Sequence, residues 1–244
     1  MTEQRIITAD DIYLFCEATG DSNKAHQGEN PVVPGFMIDF LAKNHCDTLT
    51  KDQELQFSGL EMKFRDKLHQ GRPFTITHRT EEVTGLLEYQ MAVEAEDDLI
   101  ADGFIFYRHI LPEPRIPEKT KQNQKTGVVY LLKQPYYECV RKALSIEHED
   151  RIAAAVSKAA HALQNDEESK GIILQETQDN RHPYFAKHSL TVYKNTPKML
   201  STVPASILIR TVKGDCTHGT HRVSVYGEAD EGLIFDLTAL IRFQ

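Results

Sequence analysis

Gly20-Asp21-Ser22-Asn23-Lys24-Ala25-His26, and after a short polar stretch Pro31-Val32-Val33-Pro34-Gly35-Phe36-Met37, is the part of this 244-residue chain whose reading decides the rest. Asp21 and His26 can converge on one point if the loop between them folds back. Gly35 opens an apolar segment in which Met37, Phe40, Leu41 and Asn44 recur on one face, the spacing of a helix. A carboxylate, an imidazole and a helix N-terminus together suit general acid–base chemistry on a carbonyl compound. Taken singly, Asp21 reads as a turn residue and His26 as a satisfied histidine. Their conjunction ahead of a glycine-started helix is what points to a site.

Working outward, Leu111 to Gly127 forms a boundary. Pro112, Pro114 and Pro117 deny the backbone donors, and the polar run from Lys119 to Lys125 offers nothing to bury. The predicted organisation is a first unit over 1–111, a linker over 112–127 and a second unit over 128–244. The two sides look related. Glu94-Ala95-Glu96-Asp97-Asp98-Leu99-Ile100-Ala101-Asp102 aligns without gaps on Glu228-Ala229-Asp230-Glu231-Gly232-Leu233-Ile234-Phe235-Asp236. Upstream, the segment 72–80 resembles 203–211 at nearly the same offset, which suggests an internal duplication. In the second half Ile152, Val156, Ala159, Ala160 and Leu163 recur at helical spacing. Strands are predicted near 60–65, 73–82, 86–95 and 99–110, and near 187–194, 205–213, 221–228 and 232–243. Thr84-Gly85 and Asp97-Asp98 read as hairpin turns, and the polar stretch near 165–186 as a loop. The implied class is α+β: a long helix wrapped by an antiparallel sheet, twice.

Composition limits the function. The net charge of -8, from 28 basic and 36 acidic side chains, argues against a nucleic-acid binder, which needs a basic face. Hydrophobic residues at 40% and 13 glycines are enough for a sizeable core. Cys16, Cys46, Cys139 and Cys216 lie far apart, so they read as free thiols of a cytoplasmic protein, with no metal site. No segment reaches the ~18 apolar residues of a membrane span, and the N-terminus does not open like a signal peptide.

The motif Phe15-x-x-Ala18-Thr19-Gly20-Asp21-x-Asn23-x-x-His26, with Val32-Val33-Pro34-Gly35-Phe36-Met37, Leu60-Glu61-Met62-Lys63-Phe64 and Gln70-Gly71-Arg72 downstream, resembles the MaoC-like, or hydratase 2, branch of the hot-dog fold superfamily. The resemblance covers residues 10–110; the second half resembles a hot-dog in its order of elements. Lys24 stands where the family has proline, Ala25 where it has an aliphatic residue, and Pro34 where histidine is usual. In the eukaryotic double hot-dog hydratases the active motif lies in the C-terminal repeat, whereas here it lies in the N-terminal one.

The resemblance implies a double hot-dog, a pseudo-dimer within one chain and a candidate for further homodimerisation. It implies a lyase that hydrates a trans-2-enoyl thioester to a 3-hydroxyacyl thioester, or runs the reverse. Asp21 and His26 would hold the water, without a division of roles between them. The Gly35 N–H would take the thioester carbonyl oxygen, Asn23 would pin the loop, and Phe36 and Phe40, with Ile38, would shape the acyl pocket. No cofactor is implied. The substrate would ride on coenzyme A or an acyl-carrier protein, with Arg65, Lys67 and Arg72 as a candidate phosphate cluster. Val140 and Ser145 fall near the places of Asp21 and His26 in the second half, so that half is expected to be non-catalytic. Two other functions fit the same residues: a hot-dog thioesterase, and a non-catalytic acyl-thioester binding module.

Overall fold

The computed structural model describes residues 4–21, 23–114, 128–147, 149–165, 183–194, 196–201, 204–217, 220–229 and 232–243. Most of the expected linker and most of the expected loop near 165–186 lie outside them; the last residues of that stretch, 183–186, belong to a strand rather than a loop.

The chain begins with β1 (Gln4–Arg5) and α1 (Ala9–Thr19). Thr8 and Asp11 form a capping box at the start of α1, and Gly20, with φ 74°, ends it. The helix predicted from Met37, Phe40, Leu41 and Asn44 is α2 (Gly35–Thr50), in which every side chain from Phe36 to Lys43 is buried. A helix buried on every side belongs inside a core, and the two charged residues of this stretch, Asp39 and Lys43, are both paired. It packs on β2 (Gln56–Phe64) and β4 (Leu86–Ala95), between which run β3 (Phe74–Val83) in sequence and β5 (Asp98–Arg108) in space. The second half runs β6 (Val128–Leu132), α3 (Gln134–Ala143), α4 (Arg151–Asn165), β7 (Pro183–Val192), the short α5 (Thr196–Ser201), β8 (Ala205–Thr217), β9 (Thr220–Ala229) and β10 (Gly232–Phe243). The helical spacing of Ile152 to Leu163 is α4, which packs on β6, β8 and β9.

All ten strands join one antiparallel sheet in the order β1-β3-β4-β5-β2-β7-β10-β9-β8-β6. Read from either edge inward, each half places its own first, third, fourth, fifth and second strand in the same succession. The halves meet where β2 pairs with β7, from Gly59 opposite Thr191 to Lys63 opposite Lys187. Gly59 is required there: a Cβ would run into the Leu190 carbonyl oxygen of β7. One hydrophobic cluster spans both halves, from Phe15 and Phe40 to Val156 and Phe235.

The Thr84-Gly85 turn is as predicted, with Val83 opposite Leu86 and Gly85 at φ 76°. The next turn is one residue earlier than expected. Ala95 faces Asp98, so the turn is Glu96-Asp97, with Glu96 at φ 55°. Glutamate is a poor candidate for a left-handed position, which is why the sequence pointed elsewhere. β1, α1, β6 and α3 were not among the elements expected from the sequence.

Across the join, Lys43 of α2 binds Asp47 at 2.6 Å and Asp150, which caps α4, at 2.7 Å. Burial alone would push the Lys43 ammonium down, but Asp150 and Asp47 outweigh it and hold it above the usual lysine range. Tyr107 donates its hydroxyl proton to Asp47.

Candidate active site

The site loop follows from the end of α1. At Gly20 the chain turns left-handed, and the Asp21 N–H closes on the Cys16 carbonyl at 2.9 Å. Asp21 Oδ1 accepts the Asn23 N–H at 2.9 Å. The Asn23 side chain in turn accepts the Ala25 N–H at 3.0 Å, capping a single 3-10 turn over Lys24–His26. Asx capping of this kind closes the loop locally, so the turn forms with Lys24 in it. Asn23 thus acts on backbone, not on the cavity's chemistry.

His26 is buried, and its Nδ1 lies 2.7 Å from the Val32 carbonyl oxygen. A carbonyl only accepts, so Nδ1 carries a proton. In the neutral ring Nε2 is then the free lone pair. Nε2 stands 3.5 Å from Asp21 Oδ2, with the two side chains 10% and 11% exposed. That separation is too long for a good direct hydrogen bond and leaves both atoms able to hold a shared polar partner. Asp21 also pushes the thiol of Cys16 behind it upward, second to burial, to about 12.

Beside His26 is a cavity of about 140 Å³. Its wall includes Asn23, Ala25, Val33, Gly35, Ile38, Phe64 and Phe185. Asp21 reaches His26 from another side and lines a separate open hollow with Tyr13, Glu17 and Gln27. Gly35 is the first residue of α2, after Pro34, which offers no side-chain cap. The first N–H groups of a helix have no partner within it and suit an anionic or carbonyl oxygen. The missing side chain matters: a Cβ on Gly35 would stand 3.1 Å from Phe64 Cζ and 3.3 Å from His188 Cε1.

Phe36 and Phe40 do not line this cavity. They are buried behind it, Phe36 edge-on to Phe185 and stacked at 4.0 Å between centroids on His188. Ile38, Phe64 and Phe185 form the apolar wall instead. Phe185 comes from β7, so the second half contributes directly. The basic cluster does not assemble. Arg65 pairs with Asp102, and Arg72 binds Asp98 at 2.6 Å and the Ala95 carbonyl at 3.0 Å. Arg65 and Lys67 remain at the cavity rim, with Lys67 exposed.

One feature was missed in the sequence. Asp39 of α2 and His188 of β7 form a wholly buried pair, Oδ2 to Nδ1 2.5 Å. The signal was Asp39 itself, a single carboxylate inside the apolar run 36–42. Its carboxyl is pushed up by burial, against the pull of His188.

In the second half the expected counterparts are displaced. Val140 is buried within α3. Ser145, at φ 51°, takes the left-handed place that Gly20 has, and the Ile146 N–H closes on the Arg141 carbonyl as Asp21 does on Cys16. Ile146 therefore stands where Asp21 would. Glu149 bonds Gln134 and approaches Arg151 at 3.6 Å; His148 lies outside the described residues. Among the described residues there is no group of metal-ligating side chains and no helix long and apolar enough to cross a membrane.

No protein-family profile matches the chain, and no curated protein matches it by sequence. Solved structures match along its whole length. HtdX from Mycobacterium tuberculosis superposes with a TM-score of 0.59 at 14% identity, covering 98% of each chain. A MaoC-like dehydratase superposes with a TM-score of 0.67 at 10% identity, covering 100% of this chain and 97% of its own. An acyl-ACP thioesterase from Bacteroides thetaiotaomicron gives 0.60 at 10%, covering 99% and 97%. The fold these structures share with the chain is the hot-dog fold that residues 10–110 resemble.

Proposed function

We propose that this protein is a hydratase or dehydratase of acyl thioesters whose chemistry resides in its first half. The observation that carries the reading is the approach of His26 Nε2 to Asp21 Oδ2 at 3.5 Å, with Nδ1 anchored on Val32, beside a cavity that ends at the Gly35 terminus of α2. A water between Nε2 and Oδ2 loses a proton to the dyad as its oxygen bonds to C3 of a trans-2-enoyl thioester. The dyad then delivers a proton to C2, and dehydration retraces the same steps. Charge that builds on the thioester oxygen meets the Gly35 N–H and the positive end of α2. Phe64, Ile38 and Phe185 flank an apolar acyl group.

The matching strand order of the two halves supports a double hot-dog, with units at 1–111 and 128–244 joined by 112–127. In that arrangement the second unit completes the cavity wall without chemistry of its own. Lys67, exposed where it lines the cavity, suits a phosphate of a pantetheine-linked carrier, whether coenzyme A or an acyl-carrier protein.

The thioesterase neighbours favour a second reading, in which the same water attacks the carbonyl carbon. One experiment separates the two. Crotonyl and longer trans-2-enoyl thioesters of coenzyme A and of pantetheine are followed for loss of enoyl absorbance and for release of free thiol. Hydration removes the absorbance without thiol release, and Asp21→Asn slows it about 100- to 10,000-fold. Thiol release from intact enoyl groups would establish the thioesterase. Binding without either reaction would leave a non-catalytic acyl-thioester module.

A further inference from the structure

The cavity beside His26 is small for a ligand site. Sites for larger ligands run from about 300 Å³ upward, whereas a cavity of about 150 Å³ takes a single benzene ring, about six heavy atoms. At about 140 Å³ this one has room for about the same number. A crotonyl thioester head fills it with its four-carbon chain, the carbonyl oxygen and the sulfur. A ten-carbon chain would bring about six atoms more than the space holds.

The cavity has a mouth and a wall. Arg65, Asp66 and Lys67 are exposed where they line it and mark the mouth. Inside stand the buried Ile38 of α2 and the rings of Phe64 from β2 and Phe185 from β7. Both rings pack edge-on against His188, at 5.0 and 4.7 Å between centroids, and Phe185 is edge-on to Phe36 at 5.5 Å. Phe36 and His188 stack on each other and are 4% and 0% exposed, so what backs the two rings is packed core. Such a core admits extra methylenes only at the cost of strain. Phe64 lies against Gly35, whose Cβ would stand 3.1 Å from its Cζ, and so belongs to the carbonyl end of the site. Phe185 is the ring that meets the far end of the chain.

The geometry points to short acyl chains, of about four to six carbons, as the substrate class, with Phe185 as the residue that sets the limit. This rests on the acyl-thioester reading and holds for hydration and for thiol release alike. It gives the second half a part in the reaction that is selection rather than chemistry. Phe185 is in place because β7 pairs with β2 across the join. In a deep apolar tunnel each further methylene would raise kcat/KM about fourfold. Against a wall of packed rings it lowers kcat/KM instead.

The test measures kcat/KM for trans-2-enoyl-pantetheines of four, six, eight and ten carbons with the wild type, Phe185→Leu and Phe185→Ala, each checked for folding by its melting temperature. Enoyl absorbance and thiol release are both followed, and where a chain binds without reacting the same ratios are read from Kd. The wild type is expected to be fastest on four or six carbons and at least about 100-fold slower on ten. Phe185→Ala removes a benzene ring, which makes room for about six more atoms. Its ratio of eight-carbon to four-carbon kcat/KM should exceed that of the wild type roughly 100-fold, and that of Phe185→Leu about 10-fold. A wild type whose kcat/KM holds level or climbs from four to ten carbons would overturn the inference and leave the functional reading standing. A folded Phe185→Ala whose ratio stays within about threefold of the wild type, less than one methylene is worth, would do the same. If Phe185→Ala does not fold, that limit applied to Phe185→Leu decides. A wild type that neither binds nor turns over any of the chains would bring down the functional reading and this inference together.

Discussion

α1 and α3 end in the same way and lead to different side chains. After α1 the chain turns through Gly20 at φ 74°, and after α3 through Ser145 at φ 51°; in each case the following N–H reaches back to the helix, at 2.9 Å for Asp21 and 3.2 Å for Ile146. From there the halves diverge. The first half carries Asn23 and His26 on the stretch 23–34 before α2 starts at Gly35. The second passes from Ile146 to α4 at Arg151 with no room for such a loop. The strand succession is held in common, and the loop with Asp21, Asn23 and His26 lies between the two helices of the first half. The second half is left to complete the cavity wall through Phe185 and to brace the join.

The sharpest way to break this comparison is to exchange polar atoms in the two places. Asp21→Asn or His26→Gln is expected to lower thioester turnover about 100- to 10,000-fold. Ser145→Gly at the corresponding turn is expected to leave it within about twofold, as it changes only a surface turn far from acid–base chemistry. Equal losses at both sites, in the absorbance assay, would mean that the halves share the work.

The next effect concerns the join. Lys43→Met removes the cation between Asp47 and Asp150 and leaves the buried Asp150 uncompensated. It is expected to cost about 3 kcal/mol by urea denaturation, the lower end for breaking a buried pair, discounted because Asp47 is partly exposed. The pH sign follows from the raised lysine. The stabilisation is fully present below about pH 10, the unfolded lysine range, and is lost only as the pH climbs through the higher folded value. A loss of Lys43-dependent stability at neutral pH would contradict the pairing.

Gly59→Ala tests the strand contact that unites the halves. Its Cβ would meet the Leu190 carbonyl, so β2 and β7 must part; about 2 kcal/mol of stability should go with them. An unchanged denaturation midpoint would show that β2 and β7 are not in this register. The smallest effects are paired and opposite. Gly20→Ala places a Cβ at a left-handed position and should cost about 1 kcal/mol, whereas Ser145→Gly removes one and should gain a similar amount or less. Same-signed shifts in Tm would show that the two turns are not equivalent.

What the sequence revealed was local. The Asp21–Asn23–His26 loop is contiguous and closed by its own Asx bonds, so its residue types and spacing announce it. The apolar face of α2 and the Thr84-Gly85 turn are legible for the same reason. The rest depends on partners far along the chain. Phe185 lines the cavity, and His188 packs on Phe36 and Phe64, because β7 pairs with β2, a register that turns on a backbone contact at Gly59 that no periodicity reports. Phe36 looked like pocket, and the structure shows it buried and stacked on His188. Arg65 and Arg72 looked like a phosphate cluster until the β4–β5 hairpin brought Asp98 and Asp102 to them. Asp39 was visible as a carboxylate in an apolar helix, but its partner was not.

The central claim is that the first half alone activates water for an acyl thioester. It is tested most directly by hydrating crotonyl-pantetheine in deuterated water and following C2 by nuclear magnetic resonance, with the wild type, Asp21→Asn and Ser145→Gly side by side. The account predicts deuterium at C2 of a 3-hydroxy product for the wild type and Ser145→Gly, and neither product nor label for Asp21→Asn. Full labelling by Asp21→Asn would contradict it.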